Sequence, residues 1–413
     1  MILESYTLLT RIPMYEGSNG LYTNALWEKD LSAHLCYIND FHIACPVDPI
    51  SEARHPIKRV DGLKSAKVTR LRVDKGWASV ILNLLPNFLL VRRAMRGKTI
   101  VHTSCAGWAF PLAYYTLLLR PFMRFNWINV VESSFWVKPA SGSVSLRQHI
   151  EHGVHELMVG LCVRASDARI FTQDGYRQTY LGSHDAALVS TAVWIDDVNF
   201  RSDADLAGAQ ADADVLRLVF PARLVPEKGV GTLIAAIERW DELFGSNDGP
   251  LIVLDIIGDG SMADRCRAFV QARDHNARLK MRLLDPVPYG SAFFNLLRGY
   301  TAAVIANRQA EQSRVVFDVM AQGLPCLASD TTGNRSVVDD GATGVLFPID
   351  DAAALAAIIE RASHKLAWLH ELGRKALSTT RGYSHLAMHQ SREVFLRKTL
   401  QLVEPKVQTE TSA

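Results

Sequence analysis

The sequence predicts an α/β protein of two doubly wound domains facing each other across a cleft. Three observations carry this reading. The chain has 413 residues, too many for one ordinary core and suited to two domains of about 200 residues each. Both halves alternate short β-rich runs with helical patterns, which argues for parallel sheets covered by helices on both faces. The runs of the second half are almost wholly apolar, as strands buried on both faces must be.

In the first half the expected strands are Tyr6–Leu9, His42–Pro46, Thr99–His102, Trp127–Val131 and Ala168–Thr172, with helices over Leu21–Tyr37, Trp77–Arg96 and Leu146–Arg164. In the second half they are Leu216–Phe220, Leu251–Ile257, Met281–Leu284, Ala302–Ile305 and Pro325–Ala328. The helices between them are expected at Gly229–Arg239, Met262–Arg273, Ser291–Leu297, Ser313–Gln322 and Ala352–Arg361. Residues 195–214 carry six Asp and many Ala with little apolar periodicity, so the boundary falls there. The division expected is 1–195, a linker at 196–214, 215–380, and a last helix within 381–413 that can pack back on the first domain. Ligands of doubly wound sheets bind beyond the carboxyl ends of the strands. Functional residues are therefore sought in the loops that follow strands.

Net charge is only +2, yet residues 54–98 hold twelve Lys/Arg against two acidic residues, so the charge is local. Beside it runs the apolar stretch Trp77–Val91, interrupted by Asn83, Pro86 and Asn87 and short of the roughly 20 residues a spanning helix needs. Contact with an anionic membrane surface is one reading of this window. A solvated rim or an anionic acceptor groove is the other. No nucleic-acid motif accompanies the charge. The six cysteines show no metal-ligand spacing and read as small buried hydrophobes of a reducing compartment. With no leader-like apolar run at the start, the expected setting is cytoplasmic, with peripheral contact with the inner membrane surface as the option the basic window leaves open.

The segment Phe220–Gly229 places Arg223 and Lys228 where a strand gives way to a helix. A planar guanidinium fork and a point-charge ammonium suit a departing diphosphate. Alone, the pair reads equally as surface cations. In the segment Glu311–Pro325, Glu311 and Asp318 stand about 10 Å apart on one face if both are helical, with Ser313 and Arg314 between them. Asp318 then suits ribose hydroxyls, Glu311 a sugar, and Arg314 a phosphate or Glu311 itself. The alternative is a capping acid on an amphipathic helix. Glycines at Gly17–Gly20 and Gly258–Gly260 let backbone approach a phosphate or simply turn. Glu132 follows a strand as a possible acid/base, and His102 ends one, lining an acceptor site or the core. Two Asp-x-Asp matches, at Asp203 and Asp212, fall in the linker and read as solvated, so no metal is expected.

In this order the segments resemble the retaining glycosyltransferases of the GT-B fold, family 4, the glycosyl transferases group 1. Ala222–Gly229 resembles the family's G-R-L-x-x-x-K-G stretch, Gly258–Gly260 its G-D-G turn, Asp318–Cys326 its E-A-M-A-x-G-x-P-V stretch, and Asp340–Gly344 its D-G-x-T-G. The match is good over about residues 215–375 and loose before them. The chain departs from the family in spacing Glu311 and Asp318 with six residues between, not seven, and in carrying Glu132 where a histidine is common.

The resemblance implies Arg223 and Lys228 on the donor diphosphate, Glu311 on the donor sugar and Asp318 on the ribose. It implies transfer of a hexose from a UDP- or GDP-linked donor to a glycan or lipid-linked acceptor in surface or exopolysaccharide synthesis. It implies no cofactor, because the two cations make a metal dispensable. A sugar-nucleotide epimerase or hydrolase of the same fold, or a non-catalytic partner subunit, are the alternatives.

Overall fold

A computed structural model describes residues 5–53, 56–63, 67–107, 110–132, 145–182, 186–209, 215–245, 248–273, 277–310 and 313–401. They form two compact units. Described residues up to 132, residues 145–191 and residues 388–401 make the first, and residues 192–387 the second.

In the first unit a parallel sheet joins β1 (Tyr6–Leu9), β4 (Phe41–Pro49), β6 (Val68–Leu71), β7 (Ile100–Ser104), β8 (Asn126–Val131), β9 (Ala168–Phe171) and β10 (Leu188–Val189). Their spatial order is β6-β4-β1-β7-β8-β9-β10. Hydrogen-bonded to β4 is an antiparallel extension of β2 (Met14–Gly17), β3 (Gly20–Asn24) and β5 (Ile57–Arg59). This extension corrects the expected helix Leu21–Tyr37. Residues 20–24 are strand, and the helix starts at Ala25, where the Asn24 side chain accepts from the Trp27 amide. Tyr22 and Thr23 are strand formers, and an Asn cap fixes the first turn.

Alternating residues fill the two faces of this sheet. Leu9, Val101, Trp127 and Phe171 enter a core beneath the helices Trp77–Met95, Leu112–Leu119 and Leu146–Ala165. Tyr6, Leu8, Ile100 and Ile128 enter the opposite core, which also takes Leu396 of the last helix, His385–Thr399. The helix Trp77–Met95 has 19 residues, longer than the uninterrupted run in the sequence, and meets the length and hydropathy of a membrane span. Val91, Ala94 and Met95 nevertheless lie in the core, so it is a layer helix of this unit.

The second unit is wholly parallel, with β11 (Leu216–Pro221), β12 (Ile252–Ile257), β13 (Leu279–Leu284), β14 (Ala302–Ile305), β15 (Cys326–Ser329) and β16 (Gly344–Phe347). Their order is β13-β12-β11-β14-β15-β16. Leu216, Leu218 and Phe220 face one core and Val219 the other, which explains why all of this strand but the exposed Arg217 is apolar. Chain order 3-2-1-4-5-6 reverses direction between β11 and β14, and the crevice at such a point is where doubly wound sheets bind ligands. Within residues 195–214, Asp203–Ala209 is helical, and Asp203 pairs with Arg381. Asp212 lies outside the described residues.

Candidate functional site

The loop leaving β11 is laced to its neighbours by backbone bonds. Leu224 donates its amide to Asp259 and accepts from Met262, both at 2.8 Å. Gly258 and Gly260 have φ of +147° and +153°. A Cβ on Gly258 would stand 1.9 Å from the Ala222 carbonyl oxygen, and one on Gly260 2.5 Å from that of Leu224. Gly258 is thus glycine because backbone crosses backbone there. It sets the path of the loop that carries Arg223.

Arg223 is exposed, and among the described residues nothing pairs with its guanidinium. Lys228 is half-buried at the end of a short 3-10 turn, Pro226–Lys228. Gly229 follows at φ +74° and opens the helix Val230–Phe244. A Cβ on Gly229 would lie 1.8 Å from the carbonyl oxygen of Ala306, the residue after β14. Gly229 therefore seats the loop directly on the point where strand order reverses. The first amides of the following helix have no partners within it, and its dipole is positive at that end.

Three further residues lock this arrangement. Arg308 donates its amide to the Glu227 carbonyl at 2.9 Å, while its guanidinium holds Asp350 at 2.8 Å. The other Asp350 oxygen accepts from the Thr232 hydroxyl at 2.9 Å, in the first turn of the helix. Asp350 is a non-glycine residue at φ +63°, a conformation that costs energy unless its surroundings hold it. Beside them Asn334 donates from Nδ2 to Asn307 and to the Ser329 carbonyl, each at 2.9 Å, tying together the ends of β14 and β15.

The second expected segment is helical from Val315 to Met320. Asp318 is buried, and its Oδ1 accepts from the Tyr289 hydroxyl at 2.7 Å. Burial, and then the charge of Asp318, raise the Tyr289 pKa, so this phenol stays a donor. Arg314 is exposed over the Trp194 ring at 5.6 Å, and Ser313 is buried just before the helix. Glu311 lies outside the described residues.

The remaining expected residues belong to the first unit. Glu132 follows β8, is exposed, and accepts from the Ser104 hydroxyl at 2.6 Å, so a carboxylate stands at the carboxyl ends of β7 and β8. His102 lies inside the unit, not on an open acceptor surface. Its Nδ1 is 2.6 Å from the Tyr6 hydroxyl, and burial pushes its pKa well down. Gly20 also departs from expectation. It pairs with Gly17 on the far side of the Ser18–Asn19 turn of the β2–β3 hairpin, at φ +136°, and so opens a strand of the sheet extension and not the first helix.

Asp30, His34 and His389 offer three buried ligand atoms within 4.8 Å of one another. Protein groups already account for them. His389 Nε2 lies 3.1 Å from Asp30 Oδ1, His389 Nδ1 lies 3.3 Å from the Tyr37 hydroxyl, and His34 Nδ1 lies 2.8 Å from the Asp30 carbonyl. Burial holds the His389 pKa down to about 4 despite Asp30. The arrangement reads as a hydrogen-bonded cluster. Arg308, Asp350 and Tyr289 were not found from the sequence. The only signal for Arg308 was its place just after a strand.

Comparison with known proteins adds five findings. Residues 215–365 match the family model of the glycosyl transferases group 1. A putative glycosyltransferase, EpsD of Bacillus subtilis, is 27% identical over 169 residues, 40% of this chain and 41% of EpsD. A glycogen synthase of Mycobacterium tuberculosis is 30% identical over 142 residues, 34% of this chain and 32% of the synthase. The chain thus spans less than half the length of these relatives. Among solved structures, a sucrose-phosphate synthase from Thermosynechococcus elongatus superposes with TM-score 0.70 at 17% identity, over 97% of this chain and 99% of that one. HepE of Anabaena, solved with UDP-glucose, gives 0.62 at 14% identity over 97% and 99%.

Proposed function

We propose, from the premise that residues 215–365 form a glycosyl transferases group 1 domain within a protein of GT-B fold, that the chain is a retaining hexosyltransferase. Its donor is a UDP- or GDP-linked sugar. Its acceptor is a hydroxyl of a glycan or lipid-linked saccharide in surface or exopolysaccharide synthesis, met in the cytoplasm at an anionic membrane surface.

One observation carries this reading. The loop bearing Arg223 and Lys228 is pinned at the strand-order reversal by the Gly229–Ala306 approach and by the bond from Arg308 to Glu227. Cations on so fixed a loop need no reorganisation when charge develops on a leaving diphosphate, and such groups are worth roughly 3–4 kcal/mol each. HepE was solved with UDP-glucose, which agrees with a nucleotide-sugar donor.

The roles follow from the charges. Arg223, Lys228 and the amino end of the helix Val230–Phe244 hold the diphosphate. Arg314 and Ser313 border it. Asp318, oriented by Tyr289, accepts from the ribose, and Glu311 orients the hexose. The bond from the anomeric carbon to the phosphate oxygen breaks while the acceptor oxygen bonds to the same face. The acceptor proton passes to the departing phosphate, with Glu132 as the acceptor-side carboxylate. Water excluded during the step limits donor hydrolysis.

Incubation with a panel of UDP- and GDP-hexoses, with and without saccharide acceptors, tests the proposal. Acceptor-dependent release of nucleoside diphosphate with retained anomeric configuration is expected. Equal release without acceptor would indicate a hydrolase or epimerase. No affinity for any nucleoside diphosphate would indicate a non-catalytic subunit.

A further inference from the structure

Three helices of the first unit lie side by side in one layer, Leu112–Leu119 packing against both Trp77–Met95 and Leu146–Ala165. All three bury residues in the same core; the middle helix is almost wholly covered, with Leu118 exposed, and the two flanking helices turn their opposite faces outward. An outward face in such a layer is ordinarily polar. Here it is apolar. On Leu146–Ala165, the residues Leu146, Ile150, Val154 and Leu157 fall within one stripe at helical spacing and are all exposed, Leu146 at 76%. The buried residues His155, Val159 and Cys162 lie on the reverse of the same helix. The helix therefore has two apolar faces, only one of which the unit covers.

The helix Trp77–Met95, on the other side of the middle helix, repeats this. Trp77, Ile81, Leu85 and Leu89 form an exposed stripe with Leu82, which is 75% exposed. Phe122, just beyond the middle helix, is 80% exposed. In the last turns of the helix Trp77–Met95 the same outward face changes character. Arg92, Arg93 and then Arg96 continue it, all exposed and with no acidic partner among the described residues. Two acids of the third helix, Glu151 and Glu156, flank its stripe and do not interrupt it.

We infer that this outward layer is a docking surface for an anionic lipid bilayer, with the aliphatic stripes in the acyl boundary and the three arginines at the phosphates. The sequence of features along one face selects this occupant. Aliphatic and aromatic side chains ending in unpaired guanidinium groups match the layering of a bilayer surface, where helices lie in the interface plane. Anionic headgroups supply the missing counter-charge. A polynucleotide would leave the stripes in water. The inference deepens the membrane contact within the proposed function by naming its surface. It uses no donor-site residue, so its failure leaves the donor reading standing.

Sedimentation of the full chain with vesicles tests it, using phosphatidylcholine alone or mixed with phosphatidylglycerol, in the absence of any nucleotide. Binding to the mixed vesicles, weakened by salt, is expected. Ile81→Gln with Leu85→Gln, and separately Ile150→Gln with Leu157→Gln, should each lower binding about tenfold or more with an unchanged circular dichroism melt. Arg92→Gln, Arg93→Gln and Arg96→Gln together should remove the preference for the anionic lipid. Failure of the native chain to bind mixed vesicles would overturn the inference, as would binding indifferent to the Ile150/Leu157 pair. A concentration-dependent dimer dissolved by the same substitutions, without vesicle binding, would assign the surface to a second copy instead.

Discussion

The two units wind their parallel strands in the same spatial order, β6-β4-β1-β7 matching β13-β12-β11-β14, yet they use the reversal point differently. In the second unit the loop after the first strand carries an exposed arginine, a half-buried lysine and a glycine on which another strand end rests. In the first unit the equivalent loop carries Arg11. That guanidinium is committed inside the unit, to Asp74 at 2.8 Å and to the Phe110 carbonyl at 2.9 Å. One scaffold thus leaves an arginine of this loop exposed in one copy and uses its arginine for its own cohesion in the other. Their outsides differ as well, since the first unit leaves apolar helix faces exposed. Chain order sets where a site can form, and the loop residues decide whether one does.

Substitutions can break this comparison, and the largest effect is expected at glycine. Gly229→Ala drives a Cβ into the Ala306 carbonyl at 1.8 Å in a left-handed conformation, so a loss of more than about 3 kcal/mol is expected, with loss of nucleotide binding. Gly97, at φ +71° in the first unit, has nothing within 4 Å of an added Cβ, and Gly97→Ala should cost only about 1–2 kcal/mol. Chemical denaturation of both variants checks the contrast. Equal losses would mean that the loop's seat on β14 is unimportant.

The arginines come next. Arg223→Ala should lower kcat/KM roughly 10²–10³-fold with an unchanged melting temperature. Arg11→Ala should do the reverse, because it leaves the Asp74 carboxylate, whose side chain is only 4% exposed, with no cation and only the Asn83 amide as a side-chain donor among the described residues, at a cost of about 2–3 kcal/mol. Donor affinity measured beside thermal melts separates the two outcomes.

A pH titration sharpens the difference further. Burial keeps the His389 ring neutral, with its pKa down at about 4 from 6.5. Between those values the unfolded chain binds more protons, so the first unit keeps its full stability above about pH 6.5 and loses it as pH falls toward 4. The loss from this ring is at most about 3 kcal/mol. Denaturation at graded pH should show this slope in the native chain and a flatter one in His389→Asn. The smallest effect belongs to Tyr289→Phe. It removes one hydrogen bond to Asp318, worth about 1–2 kcal/mol, and should raise the donor KM about tenfold while kcat changes little.

The parallel strands were legible because both-face burial leaves a largely apolar signature, broken at Leu216–Pro221 only by Arg217 and at Ile252–Ile257 only by Asp255. The β2–β3 hairpin was not, because Leu21–Tyr37 also satisfies helical spacing and only the Asn24 cap divides it. In the site, the cations could be read because their residue types declare their chemistry. The residues that hold them could not. Arg308 meets Asp350 across 42 residues of chain, and glycine at 258 is required by a close approach to the Ala222 carbonyl that no local pattern signals. The pairing of Asp30 with His389 joins residues 359 apart, a distance over which no local pattern signals contact.

Calorimetric titration with UDP and with GDP, on the native chain and on Lys228→Ala, tests the central claim that this second-unit loop grips the donor diphosphate. One of the two nucleotides should bind the native chain, and the substitution should weaken it about 100-fold or more. Equal affinity in the two proteins, or no binding of either nucleotide to the native chain, would contradict it.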